Sequence, residues 1–175
     1  MPTLAMMLAS VCWLSVATVN AAEPAKPDPL PAAVAADLES VAGTCREVGG
    51  APRTADAVTR VDLNADGNQD FILNVGAINC DGAASVYGDR EKSVTVYAGD
   101  GKGGATAAFT DAAFGAKVDG TGAGAKLWLT VSGAQCGKKP AQDFASEAFC
   151  ERPLVWNASA KKLEYAPVTA VRMIE

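Results

Sequence analysis

The sequence predicts an α+β domain, mainly antiparallel β, in which one N-terminal helix packs on a small sheet. From Val58 onward, about six short segments are either apolar or alternate between apolar and polar residues, and Gly-rich turns separate them. Before them, a single stretch has the periodicity of an amphipathic helix. Short strands joined by turns, with little helix, are typical of antiparallel sheets.

Residues 1–21 are predicted to be a signal peptide. Residues 4–19 are almost entirely apolar and too few for a membrane span of roughly 20 residues, and Ala21 ends a small-residue site of the type that signal peptidase cleaves. The absence of Lys and Arg before the apolar core is atypical of such a signal. A buried N-terminal helix is the alternative. The expected mature chain is periplasmic or secreted and has no membrane span.

A Pro-rich tether at 22–31 and a single β-rich domain at 32–175 are predicted to follow. Pro31 suits the first position of a helix. Apolar residues then recur at i, i+4 and i+7, and Gly43 is a typical end, so we expect a helix over 31–42. The strand predictions are VTRVD (58–62), FILNVGAI (71–78), SVTVYAG (93–99), KLWLTVSG (126–133), two strands in RPLVWNASAKKLEYAPV (152–168), and TAVRMI (169–174). The Ala-rich segment 105–115 gives no clear prediction.

The composition argues against several classes of function. The formal net charge is −5, and the charges are interspersed without a basic stripe, so nucleic acid is not an expected partner. The chain has no histidine, which excludes Ser-His-Asp and Cys-His catalysis and His-ligated metals. No G-x-S-x-G motif is present. We therefore expect a protein that is not an enzyme, with a carboxylate-based hydrolase as the enzymatic alternative.

The cysteines predict two disulfides. After removal of the signal peptide, an even number remains, which in an exported chain indicates disulfide bonding. They have no C-x-x-C spacing, so a Cys-only zinc site is not expected. Cys136 and Cys150 flank a polar loop between two predicted strands and are expected to pair, which leaves Cys45 to pair with Cys80. The other two of the three possible connectivities remain open.

The segment DLNADGNQD at 62–70 concentrates oxygen-bearing side chains at alternate positions. Calcium takes six to eight oxygen ligands, and Gly67 permits the sharp turn that would bring them together. The predicted ligands are Asp62, Asn64, Asp66, the main-chain carbonyl of Asn68, and Asp70. The loop is not an EF-hand, because its twelfth position is Leu73 and not Glu. A plain hairpin turn without metal is the alternative, since Asp, Asn and Gly favour turns for their own reasons.

With strands predicted on both sides, this loop resembles the calcium loops of integrin α-subunit propellers and of the related FG-GAP/VCBS repeats. The resemblance covers about 60–109 and includes SVTVYAGDGKGGATAAF, which is similar to the second half of such a repeat. It implies calcium binding by the loop residues named above. There is only one repeat, so no propeller is implied. The segment GAINCDGAASVYGDREK (76–92) is also longer than usual.

Together these features predict a small exported calcium-binding β domain with a non-enzymatic binding or structural role in the cell envelope. Its expected partner is an unknown envelope protein or glycan. The alternative is a periplasmic inhibitor of a hydrolase, in which the segment GKKPAQDFASEAF (137–149) would be the inhibitory loop.

Overall fold

A computed structural model describes residues 28–174 and shows three layers. One helix covers a four-stranded antiparallel sheet, whose other face packs against a five-stranded antiparallel sheet. The predicted α+β class, mainly antiparallel β, is confirmed. The predicted signal peptide and the first part of the tether lie outside the described residues.

The elements follow one another along the chain with short 3-10 turns between some of them. Their bounds are α1 (Ala32–Glu47), β1 (Ala51–Arg53), β2 (Val58–Val61), β3 (Asp70–Asn74), β4 (Asn79–Asp81), β5 (Lys92–Gly99), β6 (Ala105–Ala113), β7 (Gly115–Asp119), β8 (Lys126–Ser132), β9 (Phe149–Asn157), β10 (Lys162–Tyr165) and β11 (Arg172–Met173). The first sheet has the order β2-β3-β5-β6, and the second has the order β10-β9-β8-β7 with β11 also paired to β9. β1 and β4 form a separate two-stranded ribbon.

Helix α1 continues past the end that the sequence predicts. Gly43 was expected to stop it, but the helix runs to Glu47. A glycine inside a helix costs about 1 kcal/mol relative to alanine. Beyond it, Cys45 is fully buried in a disulfide that fixes the last turn, and Arg46 forms an exposed ion pair with Glu39 two turns earlier on the same face.

Strand β3 lies inside the first sheet and is buried on both faces. Phe71 and Leu73 pack against α1, whereas Ile72 packs against the second sheet. This explains the continuous apolar run in the sequence, because strands covered on both sides do not alternate. The predicted strand over 71–78 is wrong at its end, since the side chain of Asn74 accepts a hydrogen bond from the N–H of Gly76 at 2.9 Å and a 3-10 turn follows.

The space between the two sheets holds the larger core. Leu127, Leu129 and Val131 of β8 are at most 1% exposed and point into it. The Ala-rich segment without a clear prediction forms β6, and Ala113 fits this core at its end. In the described part of the chain there are eleven strands, several of them only two or three residues long, compared with about six expected.

Two disulfides are present, one between the helix and the β1–β4 ribbon and one within the region of the second sheet. Cys45 at the end of α1 bonds Cys80 in β4, and Cys136 bonds Cys150 in β9, with Cα–Cα distances of 5.7 and 5.8 Å. These are the pairs that the sequence predicts. Between residues 28 and 174, no helix is both long and apolar enough to cross a membrane.

Candidate calcium loop

The loop at 62–69 connects β2 to β3, so the predicted metal ligands lie between two paired strands. Asp62 directly follows β2, and Asp70 is the first residue of β3. The backbone turns sharply inside the loop, with φ of 60° at Ala65 and 83° at Gly67. A left-handed conformation is unfavourable for alanine and persists only where the surrounding contacts impose it.

Side chains of the loop hold the backbone in this shape. A carboxylate oxygen of Asp62 accepts a hydrogen bond from the N–H of Gly67 at 3.0 Å. Asn64 and Asp66 each accept one from the N–H two residues further on, at 3.0 and 2.8 Å. These bonds explain why Asp and Asn occupy these positions with or without a metal.

Asp70 is the buried member of the set and is only 2% exposed. One of its oxygens accepts from the N–H of Leu63 at 2.8 Å and the other from the N–H of Gly99 at 3.0 Å. Burial raises the pKa of the Asp70 carboxyl, the two N–H bonds oppose that rise, and the charges of Asp66 and Asp62 add to it. The charges of Asp62 and Asp66 therefore act on the buried carboxylate of Asp70.

The structure does not gather the carboxylates into a ready-made cluster. Across residues 28–174, no group of three His, Cys, Asp or Glu side chains has a metal-binding arrangement. The amide of Asn64 instead donates to Asp66 at 3.0 Å, a bond that a cation would have to replace. One oxygen is suited to bind a cation, because Oδ1 of Asp62 is buried and has no hydrogen-bond partner among the described residues. The candidate ligands are all oxygens, which suits a hard cation such as calcium.

A glycine turn at 99–104 supports the loop from the side. A Cβ at Gly99 would overlap the carbonyl oxygen of Gln69, and a Cβ at Gly101 would overlap the side chain of Asn68. Asp100 accepts hydrogen bonds from the N–H groups of Lys102 and Gly104 at 2.8 and 2.9 Å. These bonds lower the pKa of Asp100 and close the turn. The sequence shows a Gly-rich turn here, but its contact with the loop has no local sequence signal.

The disulfide-closed segment 137–149 carries an exposed aromatic group. Phe144 is 44% exposed, and its ring packs on Phe114 and Phe149 with centroid distances of 5.8 and 5.6 Å. The guanidinium of Arg90 lies 4.2 Å from the centroid of the Phe144 ring. This small cluster lies outside both cores.

The chain matches no protein-family model, no curated protein and no solved structure. The resemblance of 60–109 to FG-GAP/VCBS repeats therefore stays a prediction.

Proposed function

We propose that this chain is a small exported β domain that binds calcium at Asp62–Asp70 and has a non-enzymatic binding or structural role in the cell envelope. The proposed ligands are the five predicted from the sequence. Calcium would stabilise the hairpin of β2 and β3, and through it the sheet that carries the helix.

The buried Oδ1 of Asp62 is the observation that carries the calcium proposal. A buried carboxylate oxygen without a partner costs free energy. Here it lies in a loop with two further carboxylates, of which Asp70 has a pKa raised first by burial and to a smaller extent by the charges of Asp66 and Asp62. A divalent cation would supply the missing partner and neutralise the repulsion at once.

Export and the absence of catalysis rest on other features. Two disulfides in a small β-rich domain are typical of oxidising compartments outside the cytosol. The lack of histidine and of a nucleophile motif favours a binding or structural role.

Thermal melts in calcium, magnesium and EDTA test the proposal. If calcium binds only the folded chain, it should increase the free energy of unfolding by about 2.7 kcal/mol when the free calcium concentration is 100 times the dissociation constant. For a chain of this size that raises Tm by several degrees, at roughly 2–4 °C per kcal/mol. Magnesium should act much less, because it keeps its waters and demands octahedral geometry. Asp66→Ala should abolish the calcium effect.

The control for this experiment is Asp89→Ala, which removes an equal charge from an exposed position outside the loop. It should keep the full calcium effect. If wild type melts at one temperature in all three solutions, the loop is a turn without metal and the proposal is wrong.

The exposed Phe144 favours a second candidate, a periplasmic inhibitor of a hydrolase. The Cys136–Cys150 disulfide restrains the segment that carries this ring, and restraint lowers the entropy cost of binding. Assays of envelope hydrolases with wild type and Phe144→Ala test this role. Weaker inhibition by Phe144→Ala than by wild type would support this role. Equal inhibition by both would contradict the use of the 137–149 segment.

A further inference from the structure

The outer edge of β2 presents backbone groups without a partner strand. In the described range 28–174, β2 is the end strand of its sheet and pairs only with β3. The N–H of Asn74 donates to the carbonyl of Ala57 at 2.8 Å, which starts the ladder between the two strands. In an antiparallel ladder, residues whose N–H and C=O groups bond to the partner strand alternate with residues whose groups point away from it. The N–H and C=O groups of Val58 and Arg60 therefore point to the free side.

Hollows flank this edge on both faces of the sheet. Side chains of successive strand residues point to opposite faces. Thr59 and Val61 line a groove of about 480 Å³ that the calcium loop and the 120–122 turn complete. Val58 and Arg60 line a second hollow of about 270 Å³ on the helix side. The side chains of a strand added to β2 would also point alternately to the two faces of the sheet. Each set of side chains would then lie next to one of the two hollows.

We propose that the free edge of β2 binds an extended peptide segment of a partner protein by β-strand addition. The main-chain groups of Val58 and Arg60 would supply the hydrogen bonds, and the hollows would receive alternate side chains. The groove beside Val61 also contains Val118 of β7, so the segment should carry a small apolar or β-branched side chain at every second position. This inference does not require calcium.

The edge has only part of the usual protection against pairing. Proteins shield exposed edges with proline, charged side chains, bulges or very short strands. β2 has four residues, VTRV, and one charge, but it contains neither proline nor lysine, and the bulge in this sheet lies between β5 and β6. Its one charge, on Arg60, is tied to the carbonyl of Asp28 on the helix side. By contrast, edge strand β7 carries Lys117 at its centre.

A peptide with alternating side chains provides the test. The probe is fluorescein-labelled Lys-Val-Thr-Val-Thr-Val-Lys, and its binding to the full chain is measured by fluorescence polarisation. Two further probes carry backbone N-methyl groups on every second residue. One probe is methylated at its odd-numbered residues and the other at its even-numbered residues. In an added strand only one set of amides faces β2, so one methylated probe should lose affinity by about tenfold or more. The other should bind within about threefold of the unmethylated probe.

Hydrogen exchange locates the bound peptide on the protein. The amides of Val58 and Arg60 should exchange fast in the free chain and become protected when the unmethylated probe binds. The amides of Thr59 and Val61 face β3 and should be protected throughout. Sedimentation of the free chain shows whether the edge is already occupied by a second copy.

Three results would overturn the proposal. One is no binding of the unmethylated probe at about 1 mM, the weak limit of useful affinity. Another is an equal loss of affinity for both methylated probes, which would indicate contact without strand pairing. The third is a dimer in which Val58 and Arg60 are protected without peptide, since a second copy would then be the occupant.

Discussion

At the scale of single residues, Asp70 connects two loops that are far apart in sequence. Its carboxylate accepts from Leu63 on one side and from Gly99, 29 residues later, on the other. The sequence predicts Asp70 as a metal ligand, because Asp70 and the other predicted ligands lie within one segment of nine residues. It does not predict the bond to Gly99, because that contact depends on the pairing of β3 with β5.

Replacement of Asp70 separates its role in the fold from its proposed role in calcium binding. We expect Asp70→Ala to lower the free energy of unfolding in EDTA by about 1–3 kcal/mol, because two N–H groups lose their acceptor. Asp70→Asn keeps one acceptor oxygen but turns an NH2 group toward the second N–H, so it should cost part of that amount in EDTA, and it should abolish the calcium effect. Urea denaturation of both variants with and without calcium measures this. Equal stability of Asp70→Ala and wild type in EDTA would contradict it.

The raised pKa of Asp70 predicts how the calcium effect depends on pH. A carboxyl whose folded pKa is above its ordinary value of 3.8 favours the folded state most when protonated, and that contribution is lost as pH rises through the folded pKa. Calcium needs the ionised form. As the pH is lowered, the difference in Tm between calcium and EDTA should therefore begin to decrease while the pH is still above 3.8. A difference that stays constant down to that pH would be inconsistent with Asp70 as a ligand.

At the scale of elements, the glycine turn at 99–104 supports the candidate calcium loop at 62–69. We expect Gly99→Ala to lower the free energy of unfolding by about 1–3 kcal/mol, because the added methyl group overlaps the carbonyl of Gln69. It should also weaken calcium binding by displacing the loop. Gly124→Ala is the matched control, since a Cβ there meets nothing within 4 Å. Calorimetric titration with calcium would detect the difference between the two variants.

Elements with a strong periodic pattern were predictable, and weakly patterned elements were not. The inward set of β8 follows from its alternation, as does the start of α1 from Pro31 and the residues after it. β6 was not predictable, because alanine favours strands little and only its pairing with β5 places it in the sheet. β1 and β4 are three residues each, too short for a pattern, and a disulfide at Cys80 holds them beside the helix.

At the scale of the whole molecule, the order of strands in the two sheets lies beyond sequence reasoning. The class follows from composition and turns. The order β2-β3-β5-β6 depends on which distant segments pair, and β4 leaves the sheet to join β1. The free edge of β2, next to the 62–69 loop, results from this order.

The disulfide between Cys45 and Cys80 should contribute strongly to global stability. It closes a segment with a sequence separation of 35, and the chain-entropy model gives about 4 kcal/mol for such a loop. Replacing both cysteines with alanine should lower the free energy of unfolding by about that amount in guanidinium denaturation. The Cys136–Cys150 pair, with a separation of 14, should contribute about 3 kcal/mol. Replacing that pair with alanine is the comparison, and a larger loss there would contradict the entropic ranking.

The same bond also decides how the molecule would respond to mechanical force. If the chain were stretched from its ends, tension would pass from Cys45 to Cys80 through the sulfur atoms and bypass everything between them. The loop at 62–70, with the proposed calcium ligands, lies entirely within that bypassed segment. Compared with the reduced chain, the extended length after unfolding would be shorter by about 3.3–3.6 Å for each bypassed residue. A pulled molecule would thus keep the 62–70 loop free of backbone tension until a reductant opened the bond.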